Sequence, residues 1–451
     1  MIELGNSALS IEVGKILTNT KSATYTAEYG VVLHTSKIDY PVDIVESIEI
    51  MSDYNSNLSD YVLLTCMIQA GDYVYDIHSE RDNLEVTLIR RMNGKKHKER
   101  YKLVLNNNKG SIEGTRYTNT PRAELNAMEM IRIEGQCINR TYEKLRLELI
   151  DGIYRSLNIE SLFRTKFGQA LERIKGINSK GEKNYRIDIA KIINDVVYDH
   201  IEIPTGPKLM DLPSYIQEKH YGVYNGNIGT YVKHHLLDRT MPIDRTTNEY
   251  RDTIFIYPLY DTKRFDIVKK KMVIYSIPDA KYENVEHTYR MDGDILKIVT
   301  GHSGVGLNTG TDEYVDKGTA LTITNADDVM MRNNDTDDDE VNVSKDLLNT
   351  GEYDKELKDG TVKQVHIGPE ANIYKYRSDM IKNKMMYYQI QWNFCDVDLL
   401  YPGMPLMYIY NKDGSLIKLK GILQSVYVMY NIGTKTANAL LNIAVIKPEM
   451  K

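Results

Sequence analysis

Alternating apolar and polar residues dominate the first third of the chain. Leu84, Val86 and Leu88 alternate with Glu85 and Thr87, and beyond Asn93-Gly94 the alternation resumes at Tyr101, Leu103 and Leu105. That predicts a hairpin. Ile131, Ile133 and Cys137 alternate with Arg132, Glu134 and Gln136, and Leu145, Leu147 and Leu149 alternate with Lys144, Arg146 and Glu148. A second strand pair is expected there. Residues 1–158 read as one antiparallel β domain.

The period then shifts from 2 to 3.6. Phe163, Phe167, Leu171 and Ile174 form a helical stripe with Gly176 placed to end it, and Ile189, Ile192, Ile193, Val196 and Val197 form a second stripe. Both read as core packing. A third, short helix is predicted from Asp211-Leu212-Pro213, where Asp caps and Pro suits the first turn, to a stop at Gly222. Residues 159–240 are therefore expected to be a helical region between β regions.

Strands return at Thr253 to Tyr257, Met272 to Ile277 and Ile295 to Thr300. Further on, Met386, Tyr388, Ile390, Trp392 and Phe394 share one face of a predicted strand, opposite Tyr387, Gln389, Gln391 and Asn393. Trp392 and Phe394 are thus candidate core residues. Pro402-Gly403 marks a turn, since Pro fixes φ and Gly accepts positive φ. Strands follow at Leu406 to Tyr410 and in two runs ending near Val445. Residues 241–451 read as a second β domain, and the fold class is α+β, β-dominated.

At 451 residues the chain exceeds one ordinary core. Tyrosine is abundant, 34 against 5 Phe and 1 Trp, which favours half-buried strands and subunit interfaces. Cys66, Cys137 and Cys395 are odd in number, far apart and set in strand-like stretches, as suits buried thiols. The start of the chain lacks a signal-peptide pattern and no apolar run approaches ~18 residues. No stable membrane association is expected.

Net charge is −6, and residues 325–360 hold twelve Asp or Glu against four Lys or Arg. That segment alone is −8, so the remainder is +2. It is expected to be a solvated loop. Asp335, Asp337 and Asp339 alternate as in a calcium loop, but Glu340 stands where Gly is needed and Asp346 where Glu is. No metal is expected.

Catalytic patterns are missing from the sequence. Gly301-His302-Ser303-Gly304-Val305-Gly306 fits neither a nucleophile elbow nor a phosphate loop. His234-His235 lacks companions at ligand spacing, and the basic turn Lys95 to Arg100 lacks interleaved aromatics. The expectation is a non-enzyme without cofactors.

The order of elements resembles the central hub subunit of contractile-tail phage baseplates, related to the hub part of type VI secretion spikes. The residues that carry it are Met130 to Asp151 leading into Gly152-Ile153-Tyr154, then Ile203-Pro204, and Leu212-Pro213-Ser214-Tyr215-Ile216 running into Tyr221-Gly222-Val223-Tyr224. At the end, Ile373 to Lys384 reads as a helix and Met385 to Phe394 as a strand, before Pro402-Gly403 and the closing strands. The acidic segment 325–360 departs from the pattern as an insertion. The resemblance implies two antiparallel β-barrel-like tube domains with a helical insertion between them. It also implies a homotrimeric ring joining the tail tube or tube-initiator protein to the tail spike, with transient DNA passage through its lumen. Localisation would be the virion baseplate, after synthesis in the host cytoplasm. A tube-initiator or wedge subunit and a carbohydrate-binding adhesive β protein remain alternatives. A hydrolase would require His302 or Ser303 to be essential.

Overall fold

A computed structural model describes residues 13–16, 27–56, 58–92, 95–106, 120–176, 185–219, 222–225, 227–236, 250–277, 288–301, 303–306, 320–325, 362–367, 385–412 and 415–446. The first strands are β1 (Ala27–His34), β2 (Asp39–Val42), β3 (Ile44–Asp53), β4 (Tyr61–Gln69), β5 (Glu85–Met92), β6 (Lys95–Leu105) and β7 (Met130–Asn139). The middle contributes β8 (Gly152–Asn158), β9 (Tyr185–Ile189), β10 (Val197–Ile203), β11 (Ile228–Leu236) and β12 (Tyr250–Pro258). Then come β13 (Lys271–Ser276), β14 (Tyr289–Asp292), β15 (Ile295–Thr300), β16 (Ser303–Gly306), β17 (Ala320–Asn325) and β18 (Val362–Ile367). The chain closes with β19 (Met385–Trp392), β20 (Pro405–Lys412), β21 (Ser415–Asn431) and β22 (Thr436–Ile446).

Strands from both ends of the chain share one sheet. Its order is β14-β15-β13-β20-β21-β3-β4-β7-β6-β5-β1-β2, with β22 on β21, β19 on β22 and β16 on β19. The 17-residue β21 makes the join. Its first half pairs with β20 and its second half with β3, Ser425 lying opposite Asp53 and Tyr430 opposite Ile48. One apolar core runs under both parts, from Leu33, Ile48 and Val86 to Ile390, Trp392 and Leu441. Away from the ladder, Arg90 of β5 meets the buried Asp398 carboxylate at 2.8 Å, and the Tyr29 and Tyr430 rings touch at 4.5 Å.

The predicted hairpin is β5–β6, with Val86 opposite Tyr101. Antiparallel pairing is not universal, however: β13 runs parallel to both β15 and β20, and β9 runs parallel to β12. No ladder among the described residues closes either part into a barrel. Instead β15 and β19 meet where Thr300 Oγ1 donates to Gln391 O at 2.7 Å, and just outside the two strands Thr288 Oγ1 donates to Asn393 O at 2.6 Å.

The middle of the chain forms its own core around the helix Ile159–Lys175, with Phe163, Phe167 and Leu171 buried. Asn158 caps it by accepting from Ser161 N, and Gly176 ends it at φ 68°. The short helix Leu212–Lys219 is also present. Two expectations fail here. Asn139 Oδ1 accepts from the amides of Thr141 and Tyr142, starting the helix Arg140–Leu145 where a strand was expected, and Leu147 and Leu149 lie exposed. The stripe Ile189 to Val197 is no helix. It spans the end of β9 and the start of β10, with Ile193, Val196 and Val197 exposed. The region is therefore mixed, with β8–β10 and β9–β12–β11 sheets beside the helices.

Part of the tyrosine content belongs to the core. Tyr54, Tyr224, Tyr231 and Tyr408 are fully buried. In a chain with five Phe, Tyr supplies rings to the core, and several of its hydroxyls find internal acceptors. Tyr257 donates to Tyr54 O at 2.8 Å, Tyr224 to Ala190 O at 2.6 Å and Tyr231 to Asp60 Oδ1 at 2.8 Å. Cys66, Cys137 and Cys395 are buried free thiols, as expected.

Candidate functional site

The residues singled out in the sequence do not converge on one site. Trp392 is fully buried at the end of β19, its Nε1 donating to Thr288 Oγ1 at 3.2 Å and its ring edge-on to Tyr289 at 5.5 Å. Phe394 lies beyond the strand at φ 52°, partly exposed, with its amide bonded to Asn438 Oδ1. It does not share the core face with Trp392, because the left-handed turn takes it out of the strand's alternation. Pro402 and Gly403 are buried in the reversal before β20. Gly403 has φ 65°, and a Cβ there would stand 2.2 Å from the Tyr257 ring, so both conformation and space require glycine. Its carbonyl accepts from Arg264 at 2.8 Å. Gly222, at φ 70°, follows the Leu212–Lys219 helix, donating to Ile216 O and accepting from Asn194 Nδ2.

Two polar cavities lie elsewhere, and neither was anticipated. The first, about 530 Å³, sits where β6, the start of the Arg140–Leu145 helix, the end of the Ile159–Lys175 helix and β11–β12 meet. At its centre Asp252, buried on β12, faces His234 across the β11–β12 ladder. His234 Nδ1 lies 2.9 Å from Asp252 Oδ1, while Lys175 Nζ and Thr141 Oγ1 both reach Oδ2. Burial alone would raise the Asp252 pKa, but His234 and Lys175 hold it well below the usual carboxylate range. Burial alone would lower that of His234, yet the bond to Asp252 and the charge of Glu99 raise it. Glu99 is itself pushed up by burial. Glu85, on the rim, is matched by Arg100 and Arg140.

The second cavity, about 440 Å³, opens on the joined sheet around Asp53, Gln389, Gln424 and Asn442. Its walls are amides, hydroxyls and tyrosine rings. Of the sequence candidates only Gly304, from the glycine-rich turn, lines it. Ser303 begins β16 opposite Ile390. His302, residues 326–360 of the acidic segment and the expected helix at 373–384 lie outside the described residues. Among the described residues no group of three or more His, Cys, Asp or Glu is placed to hold a metal ion, and no helix is long and apolar enough to cross a membrane.

The chain is similar to phage tail proteins. It superimposes on a tail protein from Neisseria meningitidis MC58 with a TM-score of 0.45 at 9% identity, covering 92% of this chain and 96% of that one. For the 43 kDa tail protein of prophage MuSo2 from Shewanella oneidensis the values are 0.46 and 10%, over 94% and 98%. A type VI secretion component of E. coli gives 0.44 and 8%, over 92% and 77%. No family model and no curated protein sequence matches the chain.

Proposed function

We propose that the chain is the central hub of a phage tail baseplate, a structural and non-enzymatic subunit. In this reading three copies close a ring that joins the tail tube, or its initiator, to the central spike and leaves a passage for DNA. The supporting observation is β21. One strand carries ladders to β20 and β3 on successive stretches of the same edge, which fixes two β regions of one chain in a set relative orientation. A three-fold ring of such chains presents six β regions around its axis. Among the described residues the joined sheet ends at β2, β14 and β16, each paired on one side only. Ring closure protects such edges from open-ended association.

The division into 1–158, 159–240 and 241–451, with the acidic segment 325–360 in the last part, belongs to this proposal. So do the structural roles of Trp392, Phe394, Pro402, Gly403 and Gly222: Trp392 anchors β19 in the core, and the others turn the chain. Partners are further copies of the chain, the spike protein and the tube protein, within the virion and after synthesis in the host cytoplasm. No cofactor takes part. Light scattering coupled to gel filtration tests the ring, with an expected mass about three times 51.9 kDa. A stable monomer at micromolar concentration that also forms no ring with its own tube or spike proteins would remove the assignment.

A further inference from the structure

Four ladders place one row of residues across five strands. Gly304 of β16 lies opposite Gln389 of β19, Gln389 opposite Asn442 of β22, Asn442 opposite Ser425 of β21, and Ser425 opposite Asp53 of β3. Directly paired residues project from the same side of a sheet. The row is therefore a polar stripe, small at one end and acidic at the other. It crosses β21 at the irregularity between Leu423 and Ser425. There the cavity of about 440 Å³ opens, with Asn55, Gln424, Tyr387 and Tyr388 completing its wall.

The chemistry of this wall is uniform. Asn55, Gln389, Gln424 and Asn442 each carry an amide that donates and accepts, Ser425 carries a hydroxyl, and Asp53 supplies the one carboxylate. No Lys or Arg is among the lining residues. Several groups are already fixed. Asp53 Oδ1 accepts from Asn55 N at 2.9 Å, and Asn442 Nδ2 donates to Ser425 Oγ at 2.7 Å. Gln424 is 3% exposed and donates from Nε2 to Leu259 O at 3.0 Å, yet its Oε1 has no partner. That oxygen is enclosed by the protein, so the polar groups a ligand can meet are those of the row, Gln389 foremost because it is exposed.

We propose that this cavity binds a neutral saccharide of roughly one or two sugar rings, the size such a volume accommodates. A sugar presents rows of hydroxyls that both donate and accept, together with C–H surfaces that pack on aromatic rings. The amides and Asp53 meet the first need, and Tyr387, on the same side of β19 as Gln389, meets the second. Anionic ligands are disfavoured, because Asp53 repels them and no cation answers them. Preset side chains reduce the entropy lost on binding. The inference does not rest on the ring assembly and holds whatever the oligomeric state.

The test uses the full chain on an array of neutral, sialylated and sulfated oligosaccharides, followed by calorimetric titration with the best neutral sugar. Binding of neutral sugars is expected, weakened roughly tenfold or more, about 1.4 kcal/mol, by Gln389→Ala and by Gly304→Phe. Gln389 is exposed, and a Cβ at Gly304 meets nothing within 4 Å, so both variants are expected to fold with unchanged thermal midpoints. Three results would overturn the proposal: no neutral sugar binding up to about 10 mM, binding unchanged in both variants, or preference for the sialylated or sulfated members.

Discussion

The two polar cavities are of similar size, about 530 and 440 Å³, and opposite in character. In the charged one the groups satisfy each other: Asp252 takes His234, Lys175 and Thr141, and Glu85 takes Arg100 and Arg140. In the other, amides and a hydroxyl line an opening with a single carboxylate, Asp53, and no cation among the lining residues. Charge density alone would have drawn attention to the first. Charge pairing separates them, since a cluster that answers its own charges behaves as a clasp, while a wall of amides and one carboxylate leaves an exposed amide such as Gln389 to face whatever enters. The clasp joins the N-terminal sheet, through Thr141 just after β7, to the middle of the chain through Lys175, His234 and Asp252.

Breaking the clasp gives the largest effect. Asp252→Ala strands a partly buried histidine and lysine together, and is expected to cost roughly 3 kcal/mol or more in chemical denaturation. A loss below about 1 kcal/mol would mean that water already solvates the cluster and that the contrast between the cavities is wrong.

The pH dependence sharpens the same point. Asp252 is depressed from 3.8, so its contribution is complete above about that pH and is lost as pH falls through the folded value. His234 is raised from 6.5, so its contribution is complete below about that pH and declines as pH rises through the folded value. Glu99, raised by burial from 4.5, lowers stability as pH rises above about that value, in the native chain and in Asp252→Asn alike. The stability gap between the native chain and Asp252→Asn is therefore expected to be widest between about pH 4 and 6.5. Urea titrations across pH 3 to 9 measure it, and a gap independent of pH contradicts the ionic clasp.

How much of this was readable in the sequence depended on how local the cause was. The β5–β6 hairpin and the helix Ile159–Lys175 were legible because alternation, Asn158 and Gly176 act within a few residues. The strand expected at Leu145 to Leu149 failed because Asn139 captured two amides and turned the chain into a helix first. The apolar spacing from Ile189 to Val197 imitated a helix while several of its members face solvent. Both cavities depend on distant pairings. His234 was set aside as lacking companions, although Asp252 stands opposite it once β11 and β12 pair. The Asp53–Ser425 pairing depends on β21 reaching β3, which no local pattern announces.

A smaller effect is expected at Gln424. Gln424→Met keeps length and removes both the bond to Leu259 O and the unpaired oxygen. The losses oppose each other, so the net change in stability is expected to stay within about 1 kcal/mol. A loss beyond about 2 kcal/mol would show that Oε1 is satisfied in solution, by water or by the chain.

The smallest expected effect is the most discriminating. Gln389 projects from β19 into the polar row, opposite Gly304 and Asn442, and is exposed with no role in the core. If the row serves the fold, Gln389→Ala lowers stability as the loss of a cross-strand pair does, by about 0.2–1 kcal/mol. If the row serves a ligand, the free protein barely notices, with a change inside about 0.5 kcal/mol, and the difference appears when sugar is added. Ligand that binds only the folded chain raises its stability by RT ln(1 + [L]/Kd), so about 2.7 kcal/mol is gained at a hundredfold excess over Kd. Thermal unfolding with and without the best neutral sugar measures both quantities in one experiment. The native chain is expected to shift upward and Gln389→Ala to shift less at the same sugar concentration. Equal shifts would move recognition away from the row, leaving the polar stripe as a solvated sheet face.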